Sequence, residues 1–211
     1  MADIIAYFTA NGAEYLRLLA EHVEVSVLSL VLAALIAIPL GIVSARSRWA
    51  ERLSVGVASV VRIIPSLAVL VVLVPILGVG VVPAVVALAL LAIPPILINT
   101  AVAFSTLPAE VLEAARGMGM TERQLFRTIK VPLAFPVAFA GVRTAAAEVV
   151  ASATLAAYIG AGGLGELIFT GMGLMRTDLL WIGGVSVALL SLAVGWLLGW
   201  IDHRVRRYER V

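Results

Sequence analysis

Long apolar runs alternate with short polar stretches along the chain, and the apolar runs have the length of membrane-spanning helices. Each is near the roughly 20 residues that the core of a bilayer requires. None shows the strict two-residue alternation of a membrane barrel strand. We therefore predict an all-α polytopic membrane protein with five spans, at about 23–44, 54–77, 81–104, 132–157 and 179–201.

Residues 1–22 precede the first predicted span and mix apolar side chains with charged ones. Their beginning is acidic and their apolar run is interrupted, which distinguishes them from a secretory signal peptide. We predict an interfacial helix here, with a disordered lead as the alternative. At the other end of the chain, residues 203–211 are predicted to form a basic cytoplasmic tail.

The longest polar stretch between two apolar runs is the loop 105–131. A first short helix is expected to start near Pro108, because a proline in the first helical turn loses no hydrogen bond that it needed. Gly119 weakens the end of that helix. A second helix is predicted to start at Thr121, which forms a capping-box pattern with Gln124. A polar patch held between two spans indicates contact with a soluble partner.

The spacing in this loop resembles the cytoplasmic loop signature of ABC-importer permeases. That signature reads Glu-Ala-Ala, three residues, Gly, nine residues, Ile, one residue, an aliphatic residue and Pro. The matching residues are Glu113, Ala114, Ala115, Gly119, Ile129, Val131 and Pro132. Only Val131 departs from the signature, since the family usually has leucine there. The resemblance implies a segment that docks on a cytoplasmic ATPase. Its ATPase-coupling residues would be Glu113, Ala114, Ala115, Gly117, Met118, Gly119, Met120, Thr121 and Arg123.

A glycine run, Gly160–Gly165, follows the fourth predicted span. It satisfies G-x-G-x-x-G, but the dinucleotide motif requires a preceding strand in an α/β unit, so we expect no nucleotide site here. In similar permeases, the region resembling 158–178 closes the outer mouth of the path and faces the solute-binding protein. The implied outer-gate residues are Tyr158, Gly160, Gly162, Gly163 and Gly165. A packing turn is the alternative interpretation.

Three further stretches, 62–68, 94–100 and 156–165, are similar to permeases of osmoprotectant importers for glycine betaine, choline and carnitine. Methionine-importer permeases share the loop and the glycine run but match less well around Pro94 and Asn99. The resemblance covers about 23–202 as one type I ABC transmembrane domain. It implies a multi-pass permease in a bacterial inner membrane, embedded in lipid and paired with a second permease, which is either another copy of this chain or a related chain. It also implies a cytoplasmic ATPase dimer, which carries the ATP and magnesium, and an extracellular or periplasmic solute-binding protein.

Composition and charge agree with a membrane protein. The chain has 211 residues, of which 62% are hydrophobic and 13% charged, and its polar side chains are too few to cover a soluble domain. Basic residues are concentrated in cytoplasmic loops of membrane proteins. With the N-terminus outside and the C-terminus in the cytoplasm, the cytoplasmic side carries most of the 15 basic residues: Arg46, Arg48, Arg52, Arg116, Arg123, Arg127, Lys130, Arg204, Arg206, Arg207 and Arg210.

Three charged residues, Arg62, Arg143 and Glu148, fall inside predicted spans. A buried charge is costly unless it is paired, so we expect Glu148 to pair with one of the two arginines in the bundle interior. Arg143 and Glu148 are five residues apart on one helix, a poor spacing for contact, which favours Arg62. Two interpretations of this pair are possible: a fixed pair that sets the register of the helices, or a pair that rearranges during transport.

Polar side chains within the spans are candidates for lining a path: Ser66, Asn99, Thr100, Ser152, Thr154 and Tyr158. A helix-packing hydrogen bond is an equally good interpretation of each. In the fifth span, Gly184-x-x-x-Ala188 and Gly195-x-x-x-Gly199 predict close helix packing.

Several chemistries are excluded or disfavoured by the sequence. The only lysine, Lys130, follows Ile129, so the chain has no phosphate loop and is expected to bind no ATP and to be no enzyme. His22 and His203 lie on opposite sides of the predicted membrane, which argues against a histidine metal site. Basic residues beside spans set orientation and do not indicate nucleic-acid binding. The remaining alternatives are a self-sufficient secondary transporter and a purely structural membrane subunit.

Overall fold

The computed structural model describes residues 2–206, and every regular element in that range is helical. The predicted tail residues 207–211 lie outside the described residues. The elements in chain order are α1 (Ala2–Ser44), α2 (Arg48–Val61), α3 (Ser66–Leu77), α4 (Val81–Ser105), α5 (Ala109–Gly117), α6 (Glu122–Gln124), a π-helical turn (Leu125–Lys130), α7 (Val131–Ser152), a 3-10 segment (Ala153–Ile159), α8 (Gly165–Gly173) and α9 (Thr177–Arg206).

Within the described range, four helical stretches are long and apolar enough to cross a membrane: Ile4–Ser44, Val81–Ser105, Glu122–Ile159 and Thr177–Val205. The second predicted span, 54–77, differs from the prediction of one helix. It consists of α2 and α3, which meet at 87° and count as a fifth span only when taken together. Pro65 explains the break, because a proline disfavours helical geometry at the residue before it, and it serves as the extended N-cap of α3.

Helix α1 does not end at the predicted boundary near residue 22, and it continues through to Ser44. Its 43 residues correspond to about 65 Å at the helical rise of 1.5 Å per residue. That is about twice the hydrocarbon thickness of roughly 30 Å, so part of α1 must project beyond the bilayer core. The only non-helical backbone inside α1 is at Asn11 (φ −124°, ψ 23°).

Helix α4 lies at the centre of the bundle, where it packs against α1, α2, α3 and α7. Two glycines bring its neighbours close. A Cβ atom on Gly41 of α1 would lie 2.7 Å from the Cβ of Thr100, and one on Gly141 of α7 would lie 2.6 Å from the carbonyl oxygen of Pro95. These contacts bring the backbones of α1 and α7 close to α4.

Helix α9 packs against α7 and α8 and exposes large apolar side chains, including Trp181, Leu192 and Trp196. The prediction of close packing in α9 is wrong for Gly184 and Gly195, since an added Cβ would meet nothing within 4 Å at either position. The tight contact is at Gly183, where a Cβ would lie 2.7 Å from Ile168 of α8. At Gly199 the prediction is confirmed, since a Cβ there would lie 3.2 Å from the Arg143 guanidinium of α7.

Candidate coupling and gating sites

The polar loop forms a compact joint whose geometry explains its residue spacing. Gly119 has a left-handed backbone (φ +82°), and its N–H donates to the carbonyl of Arg116 at 2.9 Å. The N–H of Met120 donates to the carbonyl of Ala115 at 3.3 Å. This pair of hydrogen bonds is a Schellman motif, in which Gly119 is the residue after the C-cap. Ala115 is only 1% exposed, so its small side chain is needed for packing.

The second predicted helix of the loop is confirmed, together with its cap. The N–H of Gln124 donates to the Thr121 hydroxyl at 3.3 Å, and the Gln124 side chain accepts from the Thr121 N–H at 2.9 Å. From Glu122 onward, α6, the π-helical turn and α7 continue without a loop between them. The phenyl ring of Phe126 stacks on that of Phe104 at the end of α4, with a centroid distance of 5.9 Å. The joint is therefore rigidly connected to two core helices.

Ion pairs connect the two halves of the joint at its surface. Glu122 lies 3.0 Å from Arg116 of α5 and 3.8 Å from Lys130 in the π-helical turn. Its side chain is 69% exposed, and exposed pairs of this kind contribute about 0–1 kcal/mol. These pairs therefore orient the segment more than they stabilise the fold.

The predicted coupling residues lie together on this joint. The side chain of Met118 is 72% exposed, so it presents a large apolar surface on an otherwise polar segment. The remaining exposed coupling residues are Glu113, Ala114, Gly117, Gly119, Thr121 and Arg123. Met120 is half-buried and Ala115 is buried. An exposed methionine surrounded by polar side chains is suited to contact with another protein.

Every glycine predicted for the outer-gate segment, residues 158–178, has a local structural requirement. Gly160, Gly162 and Gly163 have positive φ angles of 76°, 77° and 87°. The fourth, Gly165, is required for space, because a Cβ there would lie 2.0 Å from the carbonyl oxygen of Thr154. Tyr158 is 63% exposed at the start of this segment, with its ring 5.8 Å from that of Phe169.

Helix α1 holds the glycine run in place through two residues that we did not predict as functional. Glu21 accepts a hydrogen bond from the N–H of Gly163 at 3.1 Å. A Cβ on Gly162 would lie 2.2 Å from the same carboxylate oxygen, and one on Gly163 would lie 3.2 Å from the ring of His22. The buried His22 also contacts the carbonyl oxygen of Val150 in α7 at 3.0 Å. The outer-gate segment is therefore fastened to both α1 and α7.

Replacing Glu21 with alanine is expected to loosen the glycine run. A hydrogen bond to a charged group stabilises by about 1.5–3 kcal/mol, so exchange of the Gly163 amide should accelerate by about tenfold or more in hydrogen–deuterium exchange. Glu24→Ala is the matched control, because that carboxylate lies on the same helix, is exposed and has no hydrogen bond within residues 2–206. Equal exchange rates in the two variants would contradict the assignment.

The charged residues inside the spans form two pairs. The predicted pair of Glu148 with Arg62 is confirmed, with 2.9 Å between Oε1 and Nη2. Its predicted position in the bundle interior is wrong, because the side chains are 30% and 47% exposed. Arg143 instead lies 3.5 Å from Asp202, which follows the last predicted span and which we did not predict as its partner. Arg143 therefore ties α7 to α9.

The predicted path-lining residues fall into two groups. Thr100 is fully buried against α1, and Asn99 donates from its side chain to the carbonyl of Pro95 at 2.8 Å beside Gly141 of α7. Both are in helix-packing contacts in this conformation. The others, Ser66, Ser152, Thr154 and Tyr158, are at least partly exposed. Thr154 also donates to the carbonyl of Ala151 at 2.8 Å.

Comparison with known proteins adds a family and a fold. The family model of the binding-protein-dependent transport system inner membrane component matches residues 37–207. A carnitine transport permease protein of Listeria monocytogenes is 40% identical over 97% of this chain and 94% of its own length. A choline transport system permease protein of Bacillus subtilis is 36% identical with the same coverage. An osmoprotectant import permease protein of Salmonella typhimurium is 36% identical over 97% of this chain and 95% of its own length.

Solved structures show the same fold at lower identity. An inward-facing methionine ABC transporter matches with a TM-score of 0.79 and 23% identity, covering 90% of this chain and 95% of that chain. An amino-acid ABC transporter matches with a TM-score of 0.76 and 16% identity, covering 94% and 97%. These similarities identify the helical arrangement as that of an ABC transporter transmembrane domain.

Proposed function

Because this chain belongs to the family of binding-protein-dependent transport system inner membrane components, we propose that it is the permease subunit of an importer for quaternary ammonium osmoprotectants such as glycine betaine, carnitine or choline. Transport components of this family work with a solute-binding protein and an ATPase. The solute class rests on one observation, which is that relatives named for carnitine, choline and osmoprotectants match nearly the whole chain. A methionine permease is the weaker candidate, since the methionine transporter shares mainly the fold.

In the proposed mechanism, two permease copies, or this chain and a related one, surround a path through the membrane in contact with lipid. The partner ATPase dimer binds ATP and magnesium. Its closure moves the joint formed by α5 and α6, and this movement reaches the bundle because α6 continues through the π-helical turn into α7. Nucleotide thus biases an equilibrium between two arrangements of the helices.

The proposed orientation places the N-terminus outside and the joint in the cytoplasm. The basic residues near the joint, Arg46, Arg123 and Lys130, lie around a cavity of about 560 Å³ on that side of the bundle, as expected for the cytoplasmic face of a membrane protein. The outer-gate segment is at the opposite end of α7 and faces the solute-binding protein. In this arrangement the projecting N-terminal part of α1 lies at the outer surface.

The test is solute uptake by proteoliposomes that contain this chain, its ATPase and its binding protein. Labelled glycine betaine should accumulate only when ATP is present on the side of the membrane that carries the ATPase. Unlabelled carnitine or choline should reduce this uptake by competition, and methionine should not. Accumulation by vesicles containing this chain alone would instead identify a secondary transporter. Uptake of methionine in preference to the quaternary ammonium solutes would instead identify the chain as a methionine permease.

A further inference from the structure

The ion pair between Arg62 and Glu148 is open to the surroundings on one side. The two side chains are 47% and 30% exposed. Within residues 2–206, the Arg62 guanidinium makes one side-chain hydrogen bond, from Nη2 to Glu148. Arg62 follows the last turn of α2, and Glu148 is on α7, so the pair bridges the bend of the broken span to a core helix.

Both residues lie within predicted spans, Arg62 in 54–77 and Glu148 in 132–157, so we expect the open side of the pair not to face lipid. The apolar neighbours of Arg62 are themselves exposed, with Val60 at 62% and Ile63 at 79%. Charged groups in a spanning region face a protein surface or a watery cavity, because hydrocarbon does not solvate them. The surface around the pair is therefore covered by water or by the second permease copy.

Hydroxyl side chains mark the same surface. On α7, Thr144 and Ser152 are one turn before and one turn after Glu148, which places the three side chains on one face of the helix. Thr144 is exposed and Ser152 is partly exposed. On α2, Ser59 precedes Arg62 by three residues and is also exposed. A polar stripe with one cation and one anion thus runs along the face that carries the ion pair.

We propose that this pair is a transient binding site for the zwitterionic solute inside the path, in which Arg62 takes the solute carboxylate and Glu148 takes its trimethylammonium group. The proposal rests on the proposed function, because it uses the charge pattern of glycine betaine and carnitine. Arg62 offers planar donors suited to a carboxylate. Glu148 supplies the opposite charge for the quaternary ammonium group.

The binding of the solute at this site is expected to be weak, because the two side chains must separate from each other before they bind it. Weak binding suits a site within a transport path. When the solute enters, one internal ion pair is replaced by two pairs with the solute, so the gain is offset by separating charges that already satisfied each other. A solute that binds weakly also leaves readily. A fixed pair that only sets helix register would contact no cargo, and this difference can be measured.

The first experiment compares glycine betaine with choline, which has the trimethylammonium group and no carboxylate. Arg62→Gln, Glu148→Gln and Arg143→Gln are each reconstituted with the ATPase and saturating binding protein, and the uptake rates of both solutes are measured. Arg62→Gln should lower glycine betaine uptake about tenfold relative to choline, whereas Glu148→Gln should lower both. Arg143→Gln removes an ion pair that involves another charged residue of the predicted spans, and it should change both rates by the same factor.

Equal losses for both solutes in Arg62→Gln would overturn the inference, because a structural pair does not distinguish cargoes. Failure of the unaltered importer to transport either solute would instead overturn the proposed function.

A second experiment depends on no cargo and uses the absence of cysteine from the chain. A cysteine at Thr144 should react with a trimethylammonium-bearing thiosulfonate in the reconstituted complex, whereas a cysteine at Leu192, an exposed apolar position of α9 that we expect to contact lipid, should not. If the two positions reacted equally slowly, the polar stripe would not line a watery path.

Discussion

Gly119→Val is expected to abolish ATP-driven uptake while the chain still inserts into the membrane. The left-handed backbone at Gly119 (φ +82°) closes the Schellman motif, and a β-branched residue is a strong outlier in that conformation. The cost of about 1–2 kcal/mol falls on the joint alone, because an added Cβ there meets no atom within 4 Å. The Arg116–Met120 turn should therefore change shape and lose its fit to the ATPase.

The measurement is uptake normalised to the amount of chain in the membrane fraction, together with co-purification of the ATPase. Gly184→Val is the control, since that glycine also has no neighbour within 4 Å but has an ordinary helical backbone on an exposed face of α9. We expect uptake to fall at least tenfold in Gly119→Val and to stay near the unaltered rate in Gly184→Val. Full uptake in both variants would show that the joint does not transmit the motion.

Gly165→Ala is expected to destabilise the outer-gate segment and with it the bundle. A single methyl group would lie 2.0 Å from the oxygen and 2.8 Å from the carbon of the Thr154 carbonyl. Both atoms belong to the backbone, so neither can rotate away as the end of a side chain could. Overpacking of this kind costs about 3 kcal/mol. The thermal melting temperature of the purified chain should fall clearly below that of Gly184→Ala, and equal melting temperatures would contradict the account of this contact.

The parts of the structure that depend on neighbouring residues were predictable from the sequence. The capping box at Thr121 involves residues three positions apart, and it is present. The weakening effect of Gly119 also appears where expected, because the left-handed backbone of a helix end favours glycine. Four of the five predicted spans are found as apolar helices of spanning length, which a bilayer requires regardless of packing, and the fifth only as the bent pair α2 and α3.

Contacts between distant parts of the chain were not predictable in the same way. Glu21 and Gly163 are 142 positions apart, and Arg143 and Asp202 are 59 apart. Their pairing depends on how helices cross, and the sequence contains no local signal for that. The packing of Gly183, in place of its neighbour Gly184, similarly depends on the rotation of α9 about its axis.

The bend between α2 and α3 is an intermediate case. Pro65 was visible in the sequence, and a proline is expected to interrupt a helix. The angle of 87° between the two helices does not follow from the proline in the sequence. Hydropathy averaged over 54–77 concealed the break because both helices are apolar. The pairing of Arg62 with Glu148 was nevertheless predictable, since few opposite charges were available within the spans.

The side of the membrane on which the joint lies tests the account most directly. A single cysteine at Arg123, an exposed position in a chain without native cysteine, can be labelled with a membrane-impermeant maleimide. The account predicts labelling in inside-out vesicles, protection when the ATPase is bound, and no labelling in intact cells. Labelling of Arg123→Cys only from the exterior would contradict it.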